Sequence, residues 1–143
     1  MCKILKYFSL LCLLFSFSFL GVKSEIKNYI VVKVADLAIT SVDVENEILT
    51  NLIINKQEIT QINVDKNKSF SIKNLINKEI KKKEINKFEI KNYSKKDLKL
   101  YIERIAKRFN TDTKGLKKIF KANSIDYDTF VKNHKVELLW NSL

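Results

Sequence analysis

Acid–base, nucleophilic and metal chemistry all require reactive side chains that converge, and this 143-residue sequence offers few. His134 is its sole histidine and Cys2 and Cys12 its only cysteines. Both cysteines fall within the first two dozen residues, in a segment read below as a leader. Beyond that segment neither a Cys/His dyad nor a multi-histidine metal site can be assembled. A Ser/His/Asp arrangement is formally available. However, the spacing of its neighbours puts His134 on the apolar face of a terminal helix, where a packed, hydrogen-bonded core histidine is expected. Asp126 and Asp128 form a carboxylate pair at a helix start, where capping and compensation of the helix dipole are their ordinary roles. Gly21 and Gly115 are the only glycines, so no glycine-rich phosphate loop is available. The expectation is no catalytic residue, no cofactor and no metal.

The elements that would carry a function begin after an export signal. Lys3 and Lys6 supply a positive start, and residues 8–22 are an uncharged stretch of Leu, Phe, Ser and Cys stopped by Lys23. A spanning helix needs about 20 consecutive apolar residues and a signal core roughly 7 to 15, which favours the signal. Val22 and Ser24 suit the small subsites of a signal peptidase, so cleavage is expected before Glu25. Leu11 before Cys12 argues against a lipoprotein. Removing residues 1–24 takes away both cysteines and lowers the formal charge from +11 to about +8, since Lys3, Lys6 and Lys23 leave and no acid does. The remaining 25–143 suffice for one domain stabilised by packing alone. All of its basic residues except Arg104 and Arg108 are Lys, a usage that reflects A/T-rich codons as much as function. Export removes nucleic acid as a partner. Anionic lipid and acidic, unfolded chains remain, beside a merely solvated basic surface.

The mature part reads as mainly α with a short β-hairpin in front. Residues 29–34 are β-branched and apolar, and residues 37–40 continue extended after the step Ala35-Asp36, a poor substitute for Asn-Gly in a tight turn. Thr40 precedes Asp43 by three, a capping-box start to a helix carrying Val44, Ile48, Leu49, Leu52 and Ile53. Residues 55–69 lose periodicity and crowd Asp65, Lys66, Asn67 and Lys68 together, so a loop is expected there. From Ser71 a second helix carries Ile72, Leu75, Ile76, Ile80 and Ile85 towards Phe88. Its run Lys81 to Lys83 reads as a solvated face. Ser94 and Asp97 begin a third helix with the stripe Leu98, Tyr101, Ile102, Ile105, Ala106 and Phe109. Residues 110–113 break it. A short helix with Leu116, Ile119 and Phe120 closes near Asn123-Ser124, and a last helix from Asp126 turns Tyr127, Phe130, Val131, His134, Leu138 and Trp140 inward. No stop signal follows Trp140, so a domain incomplete at its C-terminus is expected.

The order of these elements and several local strings resemble the N-terminal domain of the SurA family of periplasmic chaperones and peptidyl-prolyl isomerases. The likeness spans roughly residues 29 to 140. Ile30-Val31-Val32-Lys33-Val34 and Ile39-Thr40-Ser41-Val42-Asp43-Val44-Glu45 are similar to the family's hairpin and first helix start. Leu75-Ile76, Ile80, Phe88 and Ile90 fall where its second helix has Leu-Ile, an apolar residue and a closing turn, and Ile125 to Phe130 with Glu137-Leu138-Leu139 are similar to its short-helix exit and the start of its long final helix. Ala35-Asp36, Glu89 and Ser124 stand where the family places turn glycines, which implies strained or remodelled turns. The parvulin isomerase domains and the late helix that completes the family's N-terminal domain have no counterpart here. The likeness therefore implies client binding in the periplasm without isomerase activity in this chain. An isomerase whose front piece this is, and a basic membrane-surface protein, are the alternatives.

Unfolded outer-membrane proteins or peptides are the partners the resemblance implies, with transient contact to anionic membrane. Tyr101, Phe109, Phe120, Tyr127, Phe130 and Trp140 are the candidates to line an apolar client groove, and at least four of them are expected to be core. Loss of the completing helix would leave apolar surface around Leu138 to Trp140 for a client or for self-association.

Overall fold

Helix initiation follows the side-chain chemistry closely. Thr40 accepts from the backbone N–H of Asp43 while the Asp43 carboxylate takes the N–H of Thr40, a complete capping box. Thr60, Ser94, Asp112 and Asp126 cap the other helices in the same sense. The computed structural model describes residues 28–34 and 37–143. The expected export signal and the Ala35-Asp36 turn lie outside the described residues. Those residues form an antiparallel hairpin, β1 (Ile30–Val34) and β2 (Leu37–Thr40), then α1 (Ser41–Ile54), α2 (Gln61–Lys87), α3 (Lys95–Arg108), α4 (Thr113–Ala122) and α5 (Tyr127–Trp140). The register pairs Val34 with Leu37 and Ile30 with Thr40, with an irregularity between Ile30 and Val32. The fold is mainly α with a leading hairpin, as expected.

Two cores and a small bridge hold it. The first packs Ile39 of β2 and Val44, Ile48 and Leu52 of α1 against Leu75 of α2, with Val31, Val32, Val64, Ile72 and Ile76 at its margin. The second joins Leu49 of α1 to Ile102, Ile105 and Ala106 of α3, Leu116 and Phe120 of α4, Ile125, and Phe130 of α5. Ile85 of α2 then meets Val136 and Leu139 of α5, with Ile90, Tyr93 and Trp140 around them. Helix α5 thus lies between α2 and α3 and buries two different faces along its length. This corrects the expected inward set: Phe130 is buried, Val131, His134, Leu138 and Trp140 are half-buried, and the deeply buried residues of the second half are Val136 and Leu139.

The loop expected over residues 55–69 is largely helix, because α2 starts at Gln61 rather than at Ser71. Its first turns are polar, yet they are held. Thr60 caps Asn63, Gln61 donates to Asp65 across one turn, and Val64 packs on the hairpin core. One apolar contact and a set of local hydrogen bonds carry a helix whose sequence has no stripe there. Helix α5 runs to Trp140. The N–H of Asn141 bonds the carbonyl of Glu137, and the Ser142 hydroxyl turns back to the carbonyls of Leu139 and Asn92.

Helix termination happens without glycine. Lys56, Glu89, Asn110 and Ser124 have φ between 52° and 58°, a left-handed conformation that costs a residue with a Cβ roughly 1–2 kcal/mol. Each closes a Schellman motif. At Ser124 the two bonds run from Ser124 N–H to Lys121 O and from Ile125 N–H to Phe120 O, and at Glu89 from Glu89 N–H to Asn86 O and from Ile90 N–H to Ile85 O. The apolar contact that accompanies such motifs is supplied by Ile125 with Phe120 and by Ile90 with Ile85. The strain expected at Glu89 and Ser124 is therefore located and offset.

Candidate functional site

The six aromatic candidates separate. Phe120 is fully buried and Phe130 is 5% exposed, so both are core. Phe120 meets Phe130 edge-on at 5.0 Å and Tyr127 at 6.0 Å, and Tyr101 lies 5.9 Å from Phe130. Tyr101 and Tyr127 form the half-buried margin of that aromatic cluster, and burial raises the pKa of both phenols. Phe109 lies on the same core, with the Lys56 ammonium 5.9 Å from its ring. Trp140 is apart from the rest, on the α2–α5 contact beneath Lys81. The fold brings four of the six together, and none of these contacts forms an open aromatic groove. Leu138 and Trp140 are half-buried, so the apolar surface expected there is partly covered.

His134 is half-buried with its ring flat on Tyr101, centroids 3.4 Å apart and planes within 8°. No hydrogen bond to its imidazole is seen among the described residues, which corrects the expected hydrogen-bonded core histidine. Stacking replaces the polar partner, and burial holds its pKa below the ordinary value against the opposing pull of Glu137. Asp126 acts as the expected cap. It accepts from Asp128 N–H, Thr129 N–H and the Thr129 hydroxyl, and these bonds, that to the Thr129 side chain foremost, hold its carboxyl below the usual range.

A polar cleft of about 140 Å³ opens beside His134, between α1, α2, α3 and α5, and was not foreseen. Glu47, Thr50, Asn51 and Ile54 line it from α1, Lys78 from α2, and Asn133, His134 and Glu137 from α5. Glu47 is 5% exposed and its carboxylate takes the Lys78 ammonium at 2.7 Å, a buried ion pair. Glu137 binds Lys81. Thr50 is 7% exposed and its hydroxyl has no partner. The signal was present in the sequence: Glu47 follows Val44 by three and precedes Ile48, and Lys78 follows Leu75 by three. Both charges therefore fall on apolar stripes. Two opposite charges at core positions of neighbouring helices predict a pair, because either alone would be prohibitive there.

The second feature is the outer face of α2. Ile62, Phe70, Ile80 and Phe88 are 47% to 66% exposed. Ile62 and Ile80 repeat after about five helical turns, as do Phe70 and the C-cap residue Phe88, so the four form two rows about 80° apart along one side of a helix about 40 Å long. Lys66 and Lys73 stand between them, exposed and in no ion pair among the described residues. Glu84 on the same side is paired with Lys87, whose ammonium lies 5.2 Å from the Phe88 ring.

Among the described residues, no group of three or more His, Cys, Asp or Glu side chains could hold a metal ion, and no helix is long and apolar enough to cross a membrane. Comparison with family profiles, with curated proteins and with solved structures finds no match for this chain.

Proposed function

We propose that this chain is an exported, chaperone-type binding module of the SurA N-terminal kind that holds unfolded segments of outer-membrane proteins. The observation that carries the reading is the outer face of α2. Large apolar side chains normally leave water, and each one fully buried by a partner contributes about 1.5–3 kcal/mol. Ile62, Phe70, Ile80 and Phe88 instead line one helix at intervals of eight to ten residues, with lysines between them. Such separated anchors suit an extended chain touched at several points better than a single packed interface. The unpaired Lys66 and Lys73 favour clients with acidic residues near their apolar ones. The arrangement of a leading hairpin, one long helix and four shorter ones supports the reading from the side of the fold.

The experiment follows light scattering as a denatured outer-membrane protein is diluted into buffer with the purified chain. The chain is expected to delay aggregation, and Phe70→Ser with Phe88→Ser to weaken client affinity about tenfold, equivalent to about 1.4 kcal/mol, with the circular dichroism unchanged. An aggregation curve indifferent to the wild-type chain rejects the proposal. Binding to anionic vesicles with no effect on the client would identify a membrane-surface protein instead.

A further inference from the structure

We infer that the cleft between α1, α2 and α5 is a binding site for a small organic ammonium ion, a primary amine no larger than a single side chain. Its charge is the first argument. The cleft-lining ionic groups are Glu47, Glu137 and Lys78, and Lys81 holds Glu137 from outside the lining, so two carboxylates and two ammonium groups balance there in a chain whose net charge is +11. The Lys78 ammonium is already taken by Glu47, so the cleft offers no free cation to an anion. Burial keeps His134 neutral at neutral pH, and it adds no positive charge.

Unused hydrogen-bonding capacity is the second. One Glu47 oxygen takes Lys78, and the other has only the long 3.5 Å contact from Asn74. One Glu137 oxygen takes Lys81, and no hydrogen bond to the other is seen among the described residues. The Thr50 hydroxyl is buried and orphaned, and a buried polar group left unsatisfied costs about 1–3 kcal/mol. An ammonium has three N–H donors and no acceptor, so two carboxylate oxygens and a hydroxyl oxygen match it. Size is the third. A volume of about 140 Å³ is close to the roughly 150 Å³ cavity that holds one small ring compound in other proteins. The stacked Tyr101–His134 pair and Ile54 provide an apolar wall for the carbon end of such a ligand.

The site is separate from the outer face of α2, so it stands or falls independently of client binding. The test titrates the full chain with ethylammonium chloride and follows the side-chain amides of Asn51 and Asn133 and the ring protons of His134 by NMR. Ethanol, of similar size and neutral, and sodium chloride at equal ionic strength are run beside it. Saturable shifts with a dissociation constant on the order of 1 mM, seen with the amine alone, are expected. Thr50→Val, which keeps the shape and removes the hydroxyl, should weaken binding about tenfold. Glu137→Gln, at the more exposed carboxylate, should weaken it without disturbing the buried pair, and serves if Thr50→Val does not fold. Shifts that never saturate, or that ethanol or salt reproduce, overturn the inference. So does undiminished amine binding in folded Thr50→Val and Glu137→Gln, which would leave the cleft a place for water only.

Discussion

The two halves of the molecule solve the same packing problem with different material. In α3, α4 and the start of α5, the core is aromatic and aliphatic, with Phe120 and Leu116 at 0% exposure and Phe130 beside them. In the hairpin, α1 and α2 the core is aliphatic and thinner, and it gives way to the Glu47–Lys78 pair and to Ser71, which is buried and takes a hydrogen bond from Asn51. The C-terminal half holds itself by area. The N-terminal half depends on specific polar partners as well, and therefore on geometry that any one substitution can remove. The two places proposed to take a ligand, the polar cleft and the exposed apolar face, both involve α2.

The sharpest way to break the comparison is truncation in each core. Phe120→Ala should cost about 3–5 kcal/mol by urea denaturation, since a fully buried ring would leave a cavity with the rigid Phe130 and Tyr127 around it. Glu47→Ala should cost a comparable amount, about 3–5 kcal/mol, because it leaves the Lys78 ammonium buried and unpaired. The double change Glu47→Met with Lys78→Met should be close to neutral or stabilising. A double variant as unstable as the single one would mean that the pair itself, and not its desolvation, holds α1 to α2. Removing the cap with Thr60→Ala should cost about 1 kcal/mol and fray residues 61–66 first, visible as faster amide exchange there than in α3. In the opposite direction, Glu89→Gly and Ser124→Gly should each stabilise by about 0.5–1 kcal/mol, because both hold a positive φ that glycine adopts freely.

The pH dependence distinguishes the halves more gently. Burial depresses the pKa of His134 in the folded state, so the unfolded chain binds its proton more readily. Stability is then fully present above the unfolded value of about 6.5 and is lost as pH falls from there through the folded value. The urea midpoint should decline over that window, and a His134→Gln variant should show a flatter profile. An unchanged profile would place the imidazole in water, off the Tyr101 ring.

What could be read in advance tracks how apolar each segment is. The stripe Leu98, Tyr101, Ile102, Ile105, Ala106, Phe109 specified α3 without help, and Thr40 with Asp43 marked the start of α1 to the residue. Residues 61–69 did not announce themselves as helix, since Asn63, Asp65, Lys66, Asn67 and Lys68 carry no period. Their helicity comes from the Thr60 cap and from contact between Val64 and the hairpin core. The six aromatics were legible as apolar and illegible as site or core, because periodicity cannot tell a face that meets another helix from one that meets water. Ile62, Phe70 and Ile80 show the converse, being as apolar as the core and exposed all the same.

By itself, then, the sequence determined the class of fold, the five helices, the capped starts at Thr40, Ser94 and Asp126, and the scarcity of reactive side chains. Those depend on local periodicity, on side chains bonding their own backbone and on composition. Tertiary structure alone decided that α5 turns a second face to Ile85, that Glu47 meets Lys78, and that the ring of His134 lies on Tyr101. Each of these joins residues distant in the chain, and only the packing of whole helices brings them within contact.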